Sequence, residues 1–120
     1  MVYQRQCMRY FETVFLDKAK EFLKTLQPKT VRKVLYNIDL AEQTNDPRLF
    51  KKLRNGIWEF RTKYSGHQIR LLAFWDKTGN TETLVVATHG FIKKAGRVPT
   101  KEMARAVALR KKYFESNING

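Results

Sequence analysis

The sequence predicts an α+β fold: a helical hairpin packed on a small antiparallel sheet, with a helix at the C-terminal end. Three observations carry this. Between residues 57 and 91, three runs rich in aromatic and β-branched side chains are separated by Ser65-Gly66 and Thr78-Gly79-Asn80, the mark of an antiparallel meander. Residues 16–43 place apolar side chains at helical spacing on either side of Pro28. A further helical period begins after Pro99.

Taken in order, residues 1–9 are polar without a clear period, and Arg9 to Val14 suit a short strand. Asp17 is suited to cap a helix continuing as KAKEFLKTL, with Leu16, Ala19, Phe22, Leu23 and Leu26 on its apolar face. Pro28 stops it and fits the first turn of the next helix, where its missing N–H is no loss. That second helix runs to about Gln43, with Val31, Val34, Leu35, Ile38 and Ala41 as its core face. The short link predicts an antiparallel pair. Thr44-Asn45-Asp46-Pro47 breaks the chain, and RLFKKLRNG follows as one helical turn with no acid among its cations. In the first meander strand, period two puts Trp58, Phe60, Thr62 and Tyr64 toward the helices. Ile57, Glu59, Arg61 and Lys63 then face water or a ligand. The second strand is apolar on both faces around Arg70, as a central strand is, and the third covers Leu84 to Phe91. Pro99-Thr100 opens the last helix, whose inner face follows Met103, Ala106, Val107, Arg110, Tyr113 and Phe114.

A chain of 120 residues fits a single domain spanning residues 1–120. Its net charge of +13 opposes compaction and points to a polyanionic partner. The excess is uneven. Residues 10–46 hold six acids against six bases, whereas residues 48–112 hold four acids against sixteen bases. The first part reads as scaffold and the second as binding surface. Cys7 is the single cysteine, which excludes an internal disulfide and fits a reduced compartment. With neither a secretory h-region near Met1 nor an apolar run of membrane-spanning length, the expectation is a cytoplasmic protein with no membrane partner.

Several chemistries are set aside. One cysteine and two histidines, His67 and His89, give no zinc spacing, so no metal or other cofactor is expected. There is no phosphate-binding Gly-rich loop and no Gly-x-Ser-x-Gly elbow. RNA scission needs none of these: the 2′-hydroxyl attacks its own phosphate, and fixed cations stabilise the charge that gathers there. Arg61, Arg70, Lys93 and Lys94 supply such cations, and Phe91 supplies a ring on which a base can stack. The bland alternative is that Arg61 pairs with Glu59 or Glu82 across the sheet while the lysines are merely solvated.

The segment from Gly56 to Pro99 resembles the RelE/HigB superfamily of bacterial toxins from type II toxin–antitoxin modules, and more narrowly its HigB-like, phage Gp49-like branch. The resemblance rests on WEFR (58–61), on the arginine of HQIRLLAF (67–74) and on HGFIKKAGRVP (89–99), followed by a basic, Ala-rich helix. It implies a RelE-like fold and a ribosome-dependent mRNA endonuclease held in check by an antitoxin. It implies that Arg70 stabilises the phosphate, that Arg61 is the matching arginine of the preceding strand, and that Lys93 and Lys94 are the basic residues after the last strand. Glu59 departs from the pattern, standing where some members carry a lysine proposed as base. The tyrosine that some members have after the last strand is absent, Tyr113 being too far along. The base is left open among His89, Lys52 and Lys63, with His89 equally readable as a strand-end histidine held by hydrogen bonds.

The expected function is therefore a toxin acting as a metal-independent, ribosome-dependent mRNA interferase. Arg61, Arg70, Lys94 and His89 are its catalytic candidates, and Lys51, Lys52, Lys63, Phe91, Lys93, Arg97 and Lys101 its RNA-binding candidates. The expected partners are the ribosome, mRNA and an acidic, HigA-like antitoxin of the helix-turn-helix type. The alternatives are a ParE-like inhibitor of DNA gyrase on the same fold, or a non-catalytic phage-derived nucleic-acid-binding module.

Overall fold

The structure is a computed structural model and describes residues 9–79 and 83–119, with side chains as far as residue 116. Cys7, Asn80 and Glu82, each invoked above, lie outside the described residues. The elements run β1 (Glu12–Phe15), α1 (Asp17–Lys24), α2 (Pro28–Thr44), β2 (Phe50–Lys52), β3 (Trp58–Tyr64), β4 (His67–Asp76), β5 (Leu84–Lys93) and α3 (Thr100–Asn119). They form one five-stranded sheet in the order β1-β5-β4-β3-β2. The meander β3–β5 is antiparallel as expected; β2 extends it antiparallel to β3, and β1 joins the other edge parallel to β5, Glu12 opposite Leu84 through Phe15 opposite Ala87. The parallel pair arises because α1 and α2, with the meander, form a long crossover that returns the chain alongside β1.

Local chemistry explains the elements. Ser65 and Gly66 both take positive φ, the geometry of a two-residue type I′ hairpin that suits the twist of β3 and β4. Asp17 is the first residue of α1 rather than its cap: Leu16 holds the cap position without a side-chain hydrogen bond, and Asp17 acts on the helix dipole instead. The expected helical turn at RLFKKLRNG is confined to its start, where the Leu49 and Phe50 N–H groups donate to the Asp46 carbonyl, and Phe50–Lys52 is a strand. Phe50 is buried there against Phe11, Trp58 and Phe60, an aromatic cluster that only a strand paired with β3 delivers.

The sheet separates two cores. On one face α1 and α2 cover Phe60, Ile69, Leu71, Ala73, Val85 and Ala87, with Ala19, Val34, Ile38 and Ala41 from the helices. On the other, α3 brings Met103 and Ala106 over Ile57, Leu72, Phe74 and Val86. Leu72 and Val86 thus pack under α3 and not under the hairpin. Leu35, expected in the core, is 42% exposed. Asn37 takes the buried place, donating to Thr62 Oγ1 at 3.2 Å. α3 is tied down at three points: Glu102 to His89, Arg110 to the Asn55 carbonyl, and the Tyr113 hydroxyl donating to Asp76 Oδ2 at 2.6 Å.

A β-bulge between β4 and β5 decides what the second face carries. Leu72 pairs with His89, but Ala73 pairs with Ala87, so Thr88 is the extra residue. One extra residue reverses the alternation of the strand beyond it. Val86 faces α3 before the bulge; His89, Phe91 and Lys93 face that side after it, opposite Leu72, Arg70 and Gln68.

Candidate nucleic-acid interface

α3 covers only part of its sheet face. In the uncovered part β2 contributes Lys51, β3 contributes Glu59, Arg61 and Lys63, β4 contributes Gln68 and Arg70, and β5 contributes Phe91 and Lys93. A cleft of about 500 Å³ opens here, lined by Lys51, Lys52, Leu53, Arg54, Glu59, Arg61, Lys93, Gly96, Arg97 and Val98. Six of these are cations, and Glu59 is the sole acid among the lining residues. Gly96, at φ +73°, turns the chain so that Arg97 returns to the cleft. A larger groove, about 740 Å³, lies on the opposite face between the α1–α2 link and the β3–β4 turn. Its lining pairs Lys29 and Arg32 with apolar Leu26, Ile69 and Ile92, so the smaller cleft is the better match to a polyanion.

At the floor of the cleft Arg61 stands opposite Arg70 in the β3–β4 register. Glu59, two residues along the same face, pairs with both: its Oε2 is 3.1 Å from Arg70 Nε and its Oε1 is 3.5 Å from Arg61 Nε. Glu59 and Arg70 are each 3% exposed, whereas Arg61 is 31% exposed. Arg70 also donates to Gln68 Oε1 at 2.8 Å. Burial pushes the Arg70 guanidinium below its usual range; Glu59 opposes this and Arg61 adds to it. A buried guanidinium of this kind is stable only with its counterion in place.

The predicted site residues therefore divide. Lys51, Lys52, Arg61, Lys93 and Arg97 converge on the cleft. Arg70 lies beneath them, held by Glu59, which is the pairing that the bland alternative allowed for Arg61. Phe91 is half-buried beside Arg70 in the register and packs toward the α3 core. Lys63 is exposed on the same face, beyond Arg61. Lys94 and Lys101 are exposed, on the β5–α3 link and in the first turn of α3, and neither lines the cleft. His89 matches the alternative reading, a strand-end histidine held by hydrogen bonds. It is 1% exposed beneath α3, with Nε2 2.9 Å from Glu102 Oε1 and Nδ1 3.1 Å from Thr88 Oγ1, so neither nitrogen is free to reach a substrate. Arg54, one of the acid-free cations of RLFKKLRNG, joins the lining, whereas Glu59 and Gln68 are not among the sequence candidates. Glu59 was detectable, since period two puts it on the face of Arg61. Among the described residues no group of three His, Cys, Asp or Glu is placed to hold a metal ion, and no helix is long and apolar enough to cross a membrane.

This architecture is the RelE fold. The chain superposes on the free E. coli toxin RelE, a double arginine-to-alanine mutant, with a TM-score of 0.61 at 15% identity, over 84% of this chain and 97% of that one. It matches the Mycobacterium tuberculosis RelBE2 toxin–antitoxin complex with a TM-score of 0.51 at 22% identity, over 72% and 100% of the two chains. For the intact E. coli RelBE complex the TM-score is 0.50 at 17% identity, over 73% and 99%. No curated protein matches significantly. Residues 21–111 match the family described as phage derived protein Gp49-like (DUF891), and the chain belongs to that family.

Proposed function

We propose that the chain is the toxin of a type II toxin–antitoxin pair and acts as a metal-independent, ribosome-dependent endonuclease on mRNA in the cytoplasm. The observation that carries this reading is the open part of the sheet face, where Lys51, Lys52, Arg61, Lys93 and Arg97 converge above Arg70. In the reaction the 2′-hydroxyl loses its proton, its oxygen bonds to the adjacent phosphorus, and the bond from phosphorus to the 5′-oxygen breaks as that oxygen is protonated. Negative charge grows on the non-bridging oxygens. Preorganised cations in a partly desolvated cleft stabilise it without reorganising. Arg61 is the guanidinium that reaches the cleft, and Lys93, Lys51 and Arg97 hold the flanking phosphates. Of the base candidates Lys52 lies in the cleft and Lys63 beyond its rim. The antitoxin partner is supported by the two RelBE-type complexes that share the fold. An acidic, HigA-like antitoxin would complement the surplus of positive charge.

Induced expression followed by mapping of mRNA 5′ ends tests the reading. The expected products carry a 5′-hydroxyl and a 2′,3′-cyclic or 3′-phosphate. Arg61→Ala should lower the cleavage rate by roughly 100- to 1000-fold, the usual loss for one preorganised charge-stabilising group. Intact mRNA with arrested replication would replace this reading by gyrase inhibition on the same fold.

A further inference from the structure

The two arginines at the cleft floor already hold an anion. Like charges directly opposite in an antiparallel pair repel, and Arg61 faces Arg70 in this way. Glu59 relieves the repulsion by approaching both Nε atoms, at 3.5 and 3.1 Å. Neither approach is aligned as a hydrogen bond: Arg61 Nε, Arg70 Nε and Glu59 Oε2 are all buried without a hydrogen-bond partner. A carboxylate on a guanidinium ordinarily makes two parallel N–H···O bonds. Here one carboxylate is shared between two guanidinium groups and satisfies neither, and unmade bonds at desolvated donors are costly. Glu59 and Arg61 line the cleft, and Arg70 lies buried beside them, opposite Arg61 in the register. A phosphodiester brings two charged oxygens on a tetrahedral centre, which one planar carboxylate cannot imitate.

We propose that Arg61 and Arg70 form a receptor for a single backbone phosphate of RNA, that Glu59 occupies this receptor while no RNA is bound, and that phosphate entry moves the carboxylate aside. The choice of RNA rests on the endonuclease reading above. Glu59 is then a positioning residue. It keeps the buried Arg70 paired in the free protein and makes an isolated phosphate a poor ligand. Only a phosphate also held through its neighbours by Lys51, Lys93 and Arg97 displaces it, which is discrimination achieved by a built-in competitor.

The test uses the full chain and a short single-stranded RNA with 2′-O-methylated ribose, which cannot be cleaved. Glu59→Gln removes the competing charge and should bind this RNA several-fold more tightly. The slope of log affinity against log salt should steepen by about 0.7, the value for one more single-strand phosphate neutralised. In the wild-type protein, the Nε–H resonances of Arg61 and Arg70 should both shift when the RNA is added. Glu59→Asp, which keeps the charge but shortens its reach, should move affinity in the same direction and serves if Glu59→Gln fails to fold. Unchanged or weaker binding in the folded variant, or an Arg70 resonance indifferent to RNA, overturns the receptor and leaves Glu59 a structural counterion. If Glu59→Gln binds more tightly but wild-type protein on ribosomes leaves mRNA whole, the endonuclease reading fails and the receptor stands.

Discussion

The imidazole of His89 sits under α3 with Glu102 on one nitrogen and Thr88 on the other. Burial is the largest influence on it and lowers its pKa; Glu102 acts in the opposite sense, and Arg105 adds to the lowering. The folded protein therefore binds this proton less readily than the unfolded chain, whose histidine titrates at about 6.5. The unfolded state gains protons first as pH falls, so the stability tied to His89 is complete above ~6.5 and is lost below it, toward the folded pKa. The denaturant midpoint should accordingly fall between about pH 7.5 and 5, and His89→Gln, less stable at neutral pH, should show a flatter profile. Asp76 does not confuse this window. Burial raises its pKa, but hydrogen bonds from Thr78 and Tyr113 bring it net below the usual carboxylate value, so its contribution is lost only at lower pH. An identical midpoint slope in the two proteins would remove His89 from the α3 anchor. The sequence offers the ring but not its neighbours. A strand histidine reads alike as base or as core until Glu102, thirteen positions later, is known to fold back over it. Arg70 is similar: its strand position was legible, and its burial against Glu59 depends on a cross-strand register that the sequence does not spell out.

At the scale of elements, the existence of each helix was legible and the phase of α2 was less so. Val34, Ile38 and Ala41 form the inner stripe as expected, but the stripe widens toward Asn37 and Glu42 and leaves Leu35 outside. Hydrophobicity alone favoured Leu35. What overrides it is a partner on the sheet, because Thr62 of β3 gives Asn37 a hydrogen bond and so permits its burial. Ile38→Ala should then cost roughly 2–5 kcal/mol in a denaturant titration, as buried large-to-small changes do. Leu35→Ala should cost less than about 1 kcal/mol, since a surface site away from specific contacts rarely exceeds half that. Equal losses at the two positions would mean that α2 is rotated from the phase described. The bulge at Thr88 was not legible at all. HGFIKK reads as an alternating strand, yet the extra residue is what swings Lys93 to the side of Arg61 and leaves Ile92 on the hairpin side. Gly90 fits the same account: a Cβ there would run into the Phe22 ring and come within 2.8 Å of Leu71, so β5 and α1 meet without a side chain between them.

For the whole molecule, the question is whether the net charge of +13 acts as a diffuse field or through one surface. The fold answers by segregation. α1 and α2, whose stretch of sequence is balanced, cover one face of the sheet, while the surplus from residues 48–112 gathers around the cleft and along α3. This uneven charge was legible in the sequence; which of the cations converge was not, because that depends on β2 being a strand and on the bulge. Lys101 shows the difference: equally basic, it stands on α3 outside the cleft lining. Binding to single-stranded RNA or ribosomes should weaken steeply with salt, each phosphate contact adding about 0.7 to the slope for a single strand. Replacing Lys51, Lys52, Lys93 and Arg97 together by Gln should flatten the slope by up to about 2.8 on that basis. Replacing Lys18, Lys20, Lys24 and Lys29, on α1 and at the start of α2, removes the same formal charge and should change the slope far less. A diffuse field would make the two sets equivalent, and equal slopes measured by titration over a range of salt concentrations would move the nucleic-acid surface away from the cleft.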